Sequence, residues 1–275
     1  MRDRLKVKGM ALALAAALAL GAPAACVLQT PVEVSAKAVK KGLKQEGGRY
    51  YFYDKGKKVK NKWQVVKKKR YYFKSNGAAA IGWNKIGKKA YYFTDKGVMV
   101  KNKKVDQVKL NKKGEASLTI RAKMLIEVQS VLDKRTKPTQ SKAQKLKACY
   151  NYVKDKCGYG IRQSPAGNPS KWEAAYAYDM LKNKKGNCYS FAAGFAMLAR
   201  GCGYKATVIV GQMQKPIPGD TLRPHAWVEI GGKVYDPQTQ QVLKNYKKNV
   251  DLFGKAYGST GGVKYALSSA PNVLR

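Results

Sequence analysis

Gly186-Asn187-Cys188-Tyr189-Ser190-Phe191-Ala192 opens a helical pattern: Phe191, Phe195, Leu198 and Ala199 recur at intervals of three and four, and Gly201 stands where a C-terminal cap belongs. Asn187 is then the expected N-cap, and Cys188 the first residue of the helix. A sulfur placed there lies beside unpaired backbone N–H groups and the positive end of the helix dipole, both of which favour thiolate over thiol. Taken alone, a cysteine among Phe191, Ala192 and Ala193 reads more readily as a small core residue. The downstream sequence reverses that preference.

The chain holds one histidine, His225, so any cysteine–histidine chemistry must use it. Pro224-His225-Ala226-Trp227-Val228-Glu229-Ile230 reads as a strand, Gly231-Gly232 is a two-residue hairpin signal, and Lys233-Val234-Tyr235-Asp236-Pro237 returns. A two-residue turn pairs Ile230 with Lys233, Val228 with Tyr235 and Trp227 with Asp236, and sets His225 opposite Gln238. His225, Trp227 and Asp236 then share a face, while Ala226, Val228, Ile230 and Tyr235 serve packing. Diagonal neighbours such as His225 and Asp236 lie about 7–8 Å apart at the backbone, within reach of an imidazole–carboxylate hydrogen bond. That bond would fix the ring tautomer and stabilise the imidazolium. Cys188, His225 and Asp236 are therefore the predicted catalytic triad.

Between this hairpin and the N-terminal half, helical spacing is carried by Met124, Leu125, Val128, Val131 and Leu132. Pro138 breaks it, and Ser141 can cap a second helix with Leu146, Cys149, Tyr150 and Val153 on its apolar face. Ser170-Lys171-Trp172-Glu173 reads as a capping box for a third helix running toward Lys182. The N-terminal half is a repeat. Tyr50-Tyr51-Phe52, Tyr71-Tyr72-Phe73 and Tyr91-Tyr92-Phe93 are each followed, four residues after the Phe, by Gly56, Gly77 and Gly97, and Leu110 with Gly114 is a worn fourth copy. An aromatic run, a glycine turn and a second short run make a hairpin. A lone hairpin cannot bury its face, so the units are expected to stack into a β-solenoid-like array.

Two resemblances attach to these residues. Lys44 to Gly114 resembles the cell-wall-binding repeats of Gram-positive surface proteins, which include choline-binding repeats. That resemblance implies aromatic ligand cages, with Tyr51, Trp63, Tyr72, Trp83 and Tyr92 as the wall-polymer-binding candidates. The competing reading is that these rings only glue hairpins together. A lysine-dense surface repels a quaternary ammonium, against a cation–π attraction of about 0.5–2 kcal/mol, so an anionic, teichoic-acid-like polymer or a glycan fits the charge better.

Ser141 to Gln240 resembles the transglutaminase-like superfamily. The resemblance rests on Gly186 to Ala192, Gly201-Cys202-Gly203-Tyr204 with Val208 to Gly211, His225 to Glu229, and Asp236-Pro237. It implies a papain-like α+β fold with Cys188 as nucleophile, His225 as base and Asp236 as orienting acid. Asn187 stands where the family often has Asp. The Cys188 backbone N–H is one candidate oxyanion donor, and Tyr159 a second. Acting on peptide or amide bonds through a thioester, such a domain is a protease or peptide hydrolase, or a protein-glutamine cross-linker. An inactive wall-binding adhesin is the alternative of another class.

The formal charge of +39, from 55 Lys+Arg against 16 Asp+Glu, runs along the whole chain and calls for an anionic partner. A specific nucleic-acid partner is not expected, because no recognised nucleic-acid module is present. Arg2, Arg4, Lys6 and Lys8 precede an apolar run from Met10 to Ala22, which suits a signal peptide and is too short for a membrane span. Ala36-Lys37-Ala38 offers the cleavage site, and acylation at Cys26 is the rival. The expected organisation is a signal peptide over 1–38, wall-binding repeats over 39–114 and a catalytic domain over 115–275, in a secreted protein. No metal motif and no cofactor motif is present. Cys157–Cys202 and Cys149–Cys157 bridges both remain open.

Overall fold

The structure is a computed structural model describing residues 39–267 and 270–274. The expected leader, with Cys26, lies outside the described residues. Three hairpins of like build open the chain. β1 (Gly42–Glu46) pairs with β2 (Arg49–Asp54), which adds β3 (Lys57–Lys58); β4 (Lys62–Val66) pairs with β5 (Lys69–Phe73), and β6 (Gly82–Ile86) with β7 (Lys89–Phe93). The worn copy is reduced to β8 (Lys104–Val105) and β9 (Val108–Lys109).

The repeated glycines have a backbone reason. Gly56, Gly77, Gly97 and Gly114 take φ of 80°, 78°, 76° and 79°, where a side chain is penalised. Each hairpin is tied to a later segment. The Ala79 N–H donates to the Tyr50 carbonyl at 2.8 Å, the Met99 N–H to that of Arg70 at 2.8 Å, and Ala90 and Ala116 exchange both bonds. Phe73, Ala80 and Phe93 are wholly buried between the layers, so stacking completes the core that one hairpin cannot make.

A mixed α+β half follows: α1 (Ile120–Arg135), α2 (Lys142–Lys156), β10 (Gly158–Tyr159), α3 (Pro169–Asn183), β11 (Lys185–Gly186), α4 (Cys188–Gly201), β12 (Ala206–Gln214), β13 (Arg223–Ile230), β14 (Lys233–Tyr235), α5 (Pro237–Asn245), β15 (Phe253–Lys255), β16 (Lys264–Leu267) and β17 (Ala270–Leu274). One antiparallel sheet runs in the order β15-β14-β13-β12-β16-β17. Every residue from Tyr189 to Ala199 on α4 is buried, as expected of a helix apolar all round. Helices α1, α2 and α3 pack about it, with β12 and β13. Among the described residues no helix is long and apolar enough to cross a membrane.

The two halves share a core. Ala122 of α1 is buried with Trp83, Ala90, Val108, Leu110 and Ala116 of the hairpins. Beside them Asp133 bonds Lys74, approaches Arg49 at 3.6 Å and accepts from Gln129 at 3.1 Å. Residues 39–275 accordingly form one compact unit.

Several local expectations are corrected. Ser141 does cap α2, but the capping box at Ser170 does not form. Asn168 is the N-cap of α3, with Pro169 at the first turn, because Asn-Pro supplies both a cap and a preset φ. Gly201 is the last helical residue and Cys202 the cap, while Gly203 takes the left-handed conformation at φ 84°. A Cβ on Gly201 would come within 2.9 Å of Val128 and 3.0 Å of Leu132, so its role is to let α1 approach α4. None of the four described cysteines is bridged.

Candidate active site

Asn187 caps α4 as its sequence predicts, its Oδ1 accepting from the Ser190 N–H at 3.2 Å while its Nδ2 donates to the Arg162 carbonyl at 3.1 Å. Capping sets Cys188 at the first position of the helix, half-buried. His225 lies on β13 opposite Gly211 of β12. A Cβ on Gly211 would fall 2.2 Å from the Ala266 carbonyl and 2.8 Å from the Trp227 ring, so only glycine lets the strands and Trp227 close here. Trp227 is stacked against His225, with centroids 6.4 Å apart and planes at 15°.

The hairpin register holds as read for Ile230 with Lys233 and Val228 with Tyr235, but it ends there. Asp236 is not paired with Trp227 and Gln238 is not opposite His225, because the chain leaves β14 at Tyr235 and Asp236 becomes the N-cap of α5. Its Oδ1 accepts from the Thr239 N–H at 3.0 Å, and its own N–H donates to the Leu252 carbonyl at 3.1 Å. The other oxygen still meets the imidazole, with His225 Nε2 and Asp236 Oδ2 2.7 Å apart. Tyr265 of β16 donates its hydroxyl to the same Oδ2 at 3.0 Å, and Thr239 Oγ1 lies 3.2 Å from Nε2. With Nε2 engaged, Nδ1 is the ring nitrogen left for the thiol, and Cys188 is near enough to the ring to help raise the His225 pKa.

The electrostatics follow from burial and pairing. Burial alone would lower the His225 pKa, but the Asp236 charge and hydrogen bond, with the Cys188 contact, outweigh it and push it up to about 10. Burial likewise would raise Asp236, and the His225 charge and bond with the Thr239 bonds hold it below the usual carboxylate value. The arrangement favours an imidazolium flanked by a carboxylate and a sulfur. Thr239 and Tyr265 were not singled out from the sequence. Asp236-Pro237 with Thr239 carries a cap signature that would have found the first; nothing local marks Tyr265, which reaches the site from a distant strand.

A groove of about 750 Å³ is lined by Tyr159, Gly160, Ile161, Arg162, Asp179 and Gly186, the last of these directly preceding Asn187 and Cys188 in the chain. Tyr159 pairs with Gly186 across β10 and β11 and is 56% exposed, and burial, with the neighbouring Cys188, raises its hydroxyl pKa. A second concavity, at the boundary of the two halves, lies at the other end of α4. In the repeats, Trp63 faces Tyr72 and Trp83 faces Tyr92 across their ladders, at 5.2 Å and 5.3 Å between centroids. Tyr91 and Phe93 of the next hairpin complete a cluster on Trp63. The chain's own cations cover two faces: Arg70 sits 4.2 Å above Trp63 and Lys58 3.5 Å above Tyr51. Trp83 is buried and donates to Asp106 at 2.8 Å, whereas Tyr51, Trp63, Tyr72 and Tyr92 are half-buried.

Comparison with known proteins places both halves. Residues 129–241 match the transglutaminase-like superfamily, and residues 61–103 match the choline-binding repeat. Among solved structures, the choline binding domain of Spr1274 in Streptococcus pneumoniae is 34% identical over 29% of this chain and 98% of that one, with a TM-score of 0.27. Choline binding protein F from Streptococcus pneumoniae is 32% identical over 28% of each chain, with a TM-score of 0.26. The pneumococcal cell wall endolysin from phage Cp-1, complexed with choline, is 38% identical over 22% of this chain and 19% of that one, with a TM-score of 0.22. The likeness spans less than a third of the latter two. No curated protein matches the chain.

Proposed function

Since this chain joins choline-binding repeats to a transglutaminase-like core domain, we propose that it is a secreted, wall-associated cysteine enzyme that cleaves peptide or amide bonds. On this reading residues 39–114 form the anchor, residues 115–275 a papain-like catalytic domain, and Cys188, His225 and Asp236 the catalytic triad. The observation that carries it is the buried His225, 2.7 Å from Asp236, with Cys188 near enough to help raise its pKa.

In the proposed reaction the Cys188 sulfur attacks the substrate carbonyl, and the electron pair moves to the carbonyl oxygen beside the Cys188 N–H at the start of α4. His225, held as imidazolium by Asp236, gives its proton to the departing amine, and a thioester remains. Water, deprotonated by the now neutral ring, resolves it to an acid. A second amine in place of water would give cross-linking instead. Tyr159, at the groove edge, is the proposed second oxyanion donor.

The anchor is proposed to hold a choline-bearing, phosphate-rich wall polymer. That ligand answers both features of the repeats, since phosphates suit the lysines and quaternary ammonium groups suit the aromatic faces. The test is a screen of peptide and isopeptide substrates with and without added amine, read by mass spectrometry. Hydrolysed products are expected, with turnover lowered by about 10⁴-fold or more in Cys188→Ala and binding to purified walls unchanged. Turnover that survives Cys188→Ala would overturn the nucleophile, and amine-linked products in place of acids would reassign the acceptor.

A further inference from the structure

Two thiols outside the proposed triad face each other. Cys149, wholly buried on the apolar face of α2, and Cys202, the half-buried cap residue of α4, have their sulfurs 3.7 Å apart. A disulfide needs about 2.05 Å, so the two sulfurs have only a short approach left to make. Cys202 also lines the boundary concavity of about 720 Å³, together with Lys145 and Gly201. A small molecule can therefore reach it from solvent. We propose that Cys149 and Cys202 are an oxidisable dithiol site whose substrate is a low-molecular-weight disulfide. The proposal is independent of the catalytic reading.

The chemistry has a direction. Cys202 is the attacking thiol because it is the half-buried member of the pair and lines the concavity; its contact with Cys149 favours its thiolate, burial opposes this, and Lys145 and Lys142 add to the favourable side. Cys149 is held protonated, first by that same contact and then by burial. The Cys202 thiolate attacks one sulfur of the external disulfide, whose S–S bond breaks, and the departing thiolate takes up the proton Cys202 had lost. Cys149 then attacks the Cys202 sulfur of the mixed disulfide, and its proton leaves with the second small thiol. One external disulfide is reduced to two thiols as two protein thiols are oxidised to one disulfide. Cys157 has no part in this: it is buried, and among the described residues its sulfur is not in contact with either Cys149 or Cys202. The resulting bridge would staple α2 to the far end of the helix that begins at Cys188, and in an exported chain it would persist.

The experiment uses the full chain carrying Cys188→Ala, which removes the other accessible thiol of the described residues, with glutathione disulfide as the probe. Before oxidation, iodoacetamide is expected to label Cys202. After it, intact mass should fall by two hydrogens, a peptide linking Cys149 to Cys202 should appear without reduction, labelling of Cys202 should vanish, and Tm should rise by about 10 °C for a loop of this length. In Cys149→Ser on the same background the reaction should stop at a glutathione adduct on Cys202. Continued labelling of Cys202 after oxidation, an adduct on Cys202 that persists while Cys149 is present, or a bridge to Cys157 would each overturn the proposal.

Discussion

In the repeats, partners are near in sequence and alike from copy to copy: Trp63 meets Tyr72 and Trp83 meets Tyr92, each across a single tight turn. In the second half, Cys188, His225, Asp236 and Tyr265 come from α4, β13, the start of α5 and β16, and no two of them share an element of secondary structure other than by flanking it. The repeats therefore tolerate wear, as the shrunken β8–β9 hairpin shows, because each layer needs only some apolar surface to cover the next. The site has no such redundancy. Asp236 bonds His225 Nε2, the Tyr265 hydroxyl and the Thr239 N–H together, so one substitution alters several bonds at once.

That contrast is tested most strongly at Asp236. Asp236→Asn keeps the size but removes the charge that raises His225, and is expected to lower kcat by roughly 10³–10⁴-fold while leaving wall binding intact. It also fixes a pH dependence. The folded His225 value is raised, so its contribution to stability is complete below the unfolded value of about 6.5 and disappears as pH rises through about 10. Asp236 is depressed, so its contribution is present above about 3.9 and disappears as pH falls through its lower folded value. Thermal melts from pH 3 to pH 11 should show both losses in the parent, and the alkaline loss should move toward neutrality in Asp236→Asn. An unchanged alkaline limb would mean that Asp236 does not control the ring.

A smaller effect is expected where the two halves meet. Asp133→Ala leaves Lys74, Arg49 and Gln129 without their shared acceptor and should cost about 1–3 kcal/mol in chemical denaturation. Because Ala122 lies in the hairpin core, the unfolding should stay a single transition. Two separated transitions in the parent would show that the shared core does not couple the halves. The smallest change is expected in the repeats: Trp63→Ala removes one face of one cluster and should weaken wall binding by about tenfold or less, with turnover of a small soluble peptide unaffected.

The sequence carried the local features well and the joins poorly. Aromatic period and glycine spacing were enough for the hairpins, since both are set by backbone conformation within a few residues. The Asn187 cap and the Gly231-Gly232 turn were legible for the same reason, and with them the positions of Cys188 and His225. Asp236 was brought to His225 by a different route from the one its spacing suggested: a helix start replaced two further ladder pairs, because Asp-Pro favours a cap over a strand. Tyr265, the sharing of α1 between the two cores and the Cys149–Cys202 approach depend on distant segments, for which no pattern in the chain is diagnostic. Trp83 shows the limit on the ligand side, since the repeat marks it as equivalent to Trp63 whereas packing buries it beneath α1.

The sole histidine makes the central claim directly measurable. Nuclear magnetic resonance of the His225 ring in isotope-labelled protein, titrated from pH 5 to pH 11, should show one imidazole that keeps its proton at neutral pH, titrates near pH 10, and moves downward in Asp236→Asn. A ring that titrates near the ordinary value of about 6.5 and ignores both Asp236→Asn and Cys188→Ala would contradict the account.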